Sequence, residues 1–91
     1  MAIGFIEQFS ASVTSTASAI INKSVFGNHI TIYNNGSNNV YLGNSSVTAT
    51  TGVPVAPGAS FEIDMISGDT VTIYAICAAS QTSTVIVATM L

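Results

Sequence analysis

The sequence predicts an all-β protein: a small β-sandwich or jelly-roll-like barrel of six to seven antiparallel strands. Three observations predict it. Apolar residues recur at every second position in several short runs, a period that strands use and helices do not. Gly, Asn and Pro turn signals separate those runs at short intervals. The chain is also 48% hydrophobic and rich in β-branched residues, which argues against a disordered chain.

The first stretch, Met1 to Phe9, carries Ile3, Phe5, Ile6 and Phe9. Their spacing fits one helical face, but Gly4 and the short length oppose a stable free helix. An extended arm is the other reading. These side chains need an apolar partner, either the protein's own sandwich or a neighbouring subunit; a disordered tail is the remaining alternative. Ser12 to Ile21 reads as a first strand of small side chains. Asn22 to Asn28, with Lys23 and Gly27, is a connection. The expected organisation is therefore an arm and first strand over residues 1–21, and a β-sandwich domain over residues 22–91.

His29 to Gly43 is the centre of the pattern: strand, polar turn, strand. Ile30 and Ile32 point one way, Thr31 and Tyr33 the other. Val40 and Leu42 supply a second apolar face, with Tyr41 opposite. Asn35-Gly36 suits a type I′ hairpin turn, and the polar run Asn34 to Asn39 also suits a longer loop, so the register stays open. Val47 to Thr50 is a short strand candidate. Pro54 and Pro57 then mark edge or loop, because proline cannot donate within a ladder. Pro57-Gly58 fits a type II turn.

Three further strands follow. In Ser60 to Ile66, Phe61, Ile63 and Met65 face inward while Glu62 and Asp64 face out. In Thr70 to Cys77, Val71, Ile73, Ala75 and Cys77 face inward, and Thr72, Tyr74 and Ile76 lie opposite. In Ser83 to Thr89, Val85 and Val87 face inward and Ile86 outward. The last two strands are expected to pair as an antiparallel hairpin.

Composition narrows the function. One lysine and no arginine cannot neutralise several phosphates, which argues against nucleic acid. No run reaches about 18 apolar residues, and the chain is too short for an outer-membrane barrel, so no membrane role is expected. The start lacks the basic and apolar segments of a signal peptide. A single cysteine, Cys77, forms no intrachain disulfide, and its inward parity reads as a buried, inert thiol. No Walker loop, dinucleotide fingerprint or zinc spacing occurs, so no cofactor is expected. His29 lacks an accompanying Gly-x-Ser-x-Gly elbow, and no enzyme is expected. Glu62, Asp64 and Asp69 are a candidate weak cation site or, more blandly, a solvated face.

Charged residues make up 5% of the chain, against about 25% in ordinary proteins. Either composition has drifted, or neighbours in an assembly cover much of the surface. The outward positions favour the second reading. Tyr33, Tyr41, Tyr74, Ile76 and Ile86 lie where a free sheet face would be polar. With Ile3, Phe5, Ile6 and Phe9 they form the candidate interface of a homo-oligomer.

The run from Ile32 to Ile63 contains Asn34 with Gly36-Ser37, Val40-Tyr41-Leu42-Gly43, Val47-Thr48, Gly52 with Pro54, and Pro57-Gly58. With Tyr74-Ala75-Ile76 and the closing strand, it resembles a group of small bacteriophage virion proteins. The similarity spans about Asn22 to Ala88. The chain departs from that pattern in lacking an arginine before the central strand; Lys23 is its nearest basic residue. The resemblance implies a non-enzymatic capsid decoration (cement) protein, a trimer that clamps the major capsid protein on the outer capsid surface of the virion. The alternatives are a phage tail, fibre or filament subunit, and a carbohydrate-binding module stacking sugars on Tyr33, Tyr41 and Tyr74.

Overall fold

The computed structural model describes residues 6–24, 29–64 and 70–90. Among them are eight strands: β1 (Ile6–Val13), β2 (Ser18–Ser24), β3 (His29–Asn34), β4 (Val40–Gly43), β5 (Val53–Val55), β6 (Ser60–Asp64), β7 (Thr70–Ile76) and β8 (Ser83–Met90). They form two four-stranded sheets, ordered β1-β8-β3-β6 and β2-β7-β4-β5. Every pairing is antiparallel. Inward side chains from both sheets make one core, with Ile30, Ile32, Val85 and Val87 meeting Val40, Leu42, Ile73 and Ala75. Burying each larger aliphatic side chain contributes about 1.5–3 kcal/mol.

The all-β class and the two layers agree with the sequence reading. The strand count of six to seven does not, and neither does barrel closure. The described residues form eight strands, and among them each sheet ends in two edges, β1 and β6 in one and β2 and β5 in the other. The extra strand comes from the stretch Ser12 to Ile21, which divides into the end of β1, a turn and the start of β2. Its Ser, Thr and Ala residues carry no apolar alternation to hold one strand together. Thr14 Oγ1 instead accepts the Thr16 N–H at 3.2 Å and reverses the chain. The inward parity of β1 is Phe9, Ala11 and Val13, so Phe9 packs against the core. In β2 a register shift between Ala19 and Ile21 turns two consecutive residues, Ile20 and Ile21, into the core.

Neither expected hairpin forms. β3 and β4 belong to different sheets, as do β7 and β8. Their inward residues face each other across the core, which partners within one sheet cannot do. Gly36 does not adopt positive φ. The Asn34 side chain shapes the crossing instead, its Oδ1 accepting the Gly36 N–H at 3.0 Å. A Cβ on Gly36 would lie 2.7 Å from the backbone nitrogen of Thr84, so only glycine fits there. Val47 to Thr50 is a turn and not a strand: Val47 is buried, and Gly52 N–H donates to Thr48 O at 3.0 Å. The short strand beyond it, β5, holds Pro54 at an edge, where a missing donor is tolerated.

The type II turn at Pro57-Gly58 forms as expected. Gly58 has φ +81°, and Ala59 N–H donates to Ala56 O at 2.9 Å. A Cβ on Gly58 would meet nothing within 4 Å. The cost of Gly58→Ala is then conformational alone, about 1 kcal/mol. Urea denaturation should read that loss; unchanged stability would show that alanine is accommodated without strain.

Candidate assembly surface

The outward residues form two separate patches, one on each sheet. On the first sheet Tyr33 and Ile86 are direct cross-strand partners, flanked in the same row by Ser10 and Ser60. Tyr33 is 37% exposed. On the second sheet Tyr41 lies opposite Ile76 on one side and Pro54 on the other. Tyr74, two residues before Ile76, is opposite Ala19 and Gly43. Such aromatic and β-branched pairs contribute about 0.2–1 kcal/mol within the subunit. Tyr41, Tyr74, Ile76 and Ile86 are half-buried by their own sheets. Of the other named candidates, Phe9 packs on the core. Ile6 opens β1 opposite Met90. Ile3 and Phe5 lie outside the described residues. The three tyrosines do not form one platform, because Tyr33 is on the opposite face of the sandwich from Tyr41 and Tyr74. That geometry counts against a single sugar-stacking surface.

The four sheet edges differ in how they are guarded. β5 is three residues long and contains Pro54. β6 carries Glu62 and Asp64. β2 contains the register shift. β1 runs eight residues in register with β8, with neither proline nor bulge. Among the described residues it is the longest edge strand without a proline or a bulge, and Glu7 is its one charged residue.

Asn34 is the residue that the sequence reading left among the turn polar groups. It is 0% exposed. Its Nδ2 donates to Asn38 O at 2.7 Å and Val55 O at 2.8 Å. Its Oδ1 accepts from Gly36 N–H at 3.0 Å and the Ser83 hydroxyl at 2.8 Å. Its backbone N–H donates to Ala59 O at 3.0 Å, and its carbonyl accepts from Gly58 N–H at 2.9 Å. One side chain thus ties β3 to β5, β8 and the loop that follows it. The signal was present: Ile30 and Ile32 set the inward parity, and Asn34 falls on it.

His29 opens β3 opposite Asp64 of β6, with Glu62 two residues away on the same face. Its Nδ1 lies 2.7 Å from Asp64 Oδ1 and its Nε2 2.8 Å from Glu62 Oε1. Hydrogen bonding to Asp64 first, then to Glu62, raises the His29 pKa above 6.5. With both ring nitrogens taken, neither is turned toward a serine hydroxyl. The two nitrogens also point to different carboxylates, so the three groups do not converge on one metal-sized point. Among the described residues, no group of three His, Cys, Asp or Glu side chains could hold a metal ion. Asp69 lies outside them.

Cys77 is 1% exposed, its Sγ 3.7 Å from Val13 O. Burial pushes its thiol pKa up, which suppresses the reactive thiolate.

No protein-family model matches the chain, and no curated protein matches it. A solved chain from Bacillus endospore appendages, which form a novel family of disulfide-linked pili, is similar in structure. Its TM-score is 0.53 at 18% identity, over 97% of this chain and 85% of that one. At that identity the likeness shows a shared fold. It overturns the bacteriophage identification. The decoration and cement role, the major capsid protein as partner, the capsid trimer and the outer capsid surface of a virion are withdrawn with it. The physical reason lies in the matching positions. Asn34, Gly36 and Pro57-Gly58 are where they are because a crossing loop, a close approach and a type II turn need them. Such residues mark a fold and carry no information about what the subunit is attached to.

Proposed function

We propose that this chain is a non-enzymatic structural subunit that assembles with copies of itself into a filament or surface appendage. The observation that carries the reading is the pair of outward aromatic and aliphatic patches, on a fold that matches a pilus chain along nearly its whole length. The scarcity of charge and the long β1 strand at the end of its sheet support it. An exposed strand edge can pair with a further strand through its backbone groups.

The assembly proposed here is not a disulfide polymer. A continuous disulfide-linked chain needs two cysteines per subunit, and these 91 residues hold one, which is buried. Purified protein should therefore sediment as species well above 9.3 kDa, and electron microscopy should show fibres, equally with and without dithiothreitol. A 9.3 kDa monomer at every concentration would overturn the filament reading. Fibres that dissolve in reductant would overturn the claim that they are held without disulfides.

A further inference from the structure

The contacts of His29 demand a particular protonation state. A neutral imidazole has one N–H donor and one bare nitrogen. A bare nitrogen 2.7 or 2.8 Å from a carboxylate oxygen sets two lone pairs against each other. Only the imidazolium donates at both positions. The side chain is 35% exposed, so protons reach it freely.

We propose that His29 is a proton-operated latch that holds the C-terminal end of edge strand β6 onto β3, closed as the imidazolium and loosened when the ring loses its proton. The other end of β6 is tied independently of pH, by the Asn34 N–H to Ala59 O bond and the type II turn. Phe61 and Ile63 anchor its inner face. At the His29 end, where Asp64 and Ile63 pair in register with His29 and Ile30, the ion pairs add a side-chain tie on the outer face. Deprotonation removes one of the two hydrogen bonds. It also leaves Glu62 and Asp64, two positions apart on one face of the edge strand, without their cation.

Among the described residues, few groups compete. β6 contributes Glu62 and Asp64, and β8, the other neighbour of β3, has no ionisable side chain from Ser83 to Met90. Tyr33 is farther along β3 on the same face. Glu7, on β1 beyond β8, is opposite Thr89. The raised pKa of His29 gives the sign. The folded pKa exceeds the unfolded one, so the latch stabilises fully below the ordinary value of 6.5 and is lost as pH rises through the folded value.

NMR of the full chain from about pH 5 to about pH 9 tests this. The His29 ring should titrate above 6.5, and the amide shifts of Ser60 to Asp64 should follow the same midpoint. At about pH 6 the β6 amides of His29→Gln should exchange about threefold faster than wild type, and the two should match near pH 9. The double variant Glu62→Gln, Asp64→Asn keeps the histidine and should return its midpoint to about 6.5. A wild-type midpoint at or below 6.5 overturns the proposal. So does a His29→Gln difference that is independent of pH, or a midpoint that stays high in the double variant.

Discussion

Asn34→Asp should lose about 3 kcal/mol or more of folding stability at neutral pH, the largest effect expected of any single change outside the aliphatic core. The substitution is nearly isosteric, so packing is not what fails. The carboxylate can still accept from Gly36 N–H and the Ser83 hydroxyl. Its second oxygen, however, replaces an NH2 group that donates to Asn38 O and Val55 O at 2.7 and 2.8 Å. Two hydrogen bonds become contacts between acceptors, and a charge is placed at a position 0% exposed. A small domain holds only about 5–15 kcal/mol in total, so the variant stands close to unfolding. The loss should shrink as pH falls. Burial raises the pKa of the new carboxyl, and its protonated form is neutral and regains one donor. Urea denaturation at two pH values reads both effects. A loss below about 1 kcal/mol would mean that water reaches this end of the sandwich and replaces the network.

Tyr74→Ser should break assembly while leaving the subunit folded. Tyr74 projects from the outer face of the second sheet, beside Ile76 and the Tyr41 row. Inside the subunit it loses contact with its cross-strand partners Ala19 and Gly43, worth less than about 1 kcal/mol. At the centre of a subunit contact, a tyrosine is worth about 2 kcal/mol or more. That difference raises the concentration needed for assembly roughly 30-fold. Thermal unfolding and sedimentation of a dilution series separate the two outcomes. A melting temperature lowered equally at all concentrations would make Tyr74 a folding residue. Unchanged assembly would remove this face from the interface. Tyr33→Ser, on the opposite face, then shows whether the other patch contributes.

The strands themselves were legible because alternation is a local property. Ile30 and Ile32, Val40 and Leu42, Val85 and Val87 show their inward faces with no reference to the rest of the chain. So does Tyr74, placed outward by its neighbours Ile73 and Ala75. The type II turn was legible for the same reason, since Pro57 and Gly58 encode their own φ angles. The boundaries of β1 and β2 were not. Small Ser, Thr and Ala side chains give no period, and the apolar residues Phe9 and Ile21 that bound the stretch are compatible with an arm, a helix or two strands.

Local pattern therefore determined the class of this protein: all-β, layered, short-stranded, with aromatic residues on outer faces and little charge. Tertiary structure alone decided which strands pair. Period-two alternation says which face of a strand is buried and nothing about its neighbour, so β3 and β4 look like a hairpin in sequence and lie in opposite sheets in space. It also decided the roles of the polar residues. Asn34 on an inward position could not be told from a turn residue until Val55 and Ser83 arrived from distant strands to satisfy it. His29 gained its two carboxylates only when β6 came to lie beside β3, because hydrogen bonds between residues more than thirty positions apart exist only after the sheet has formed.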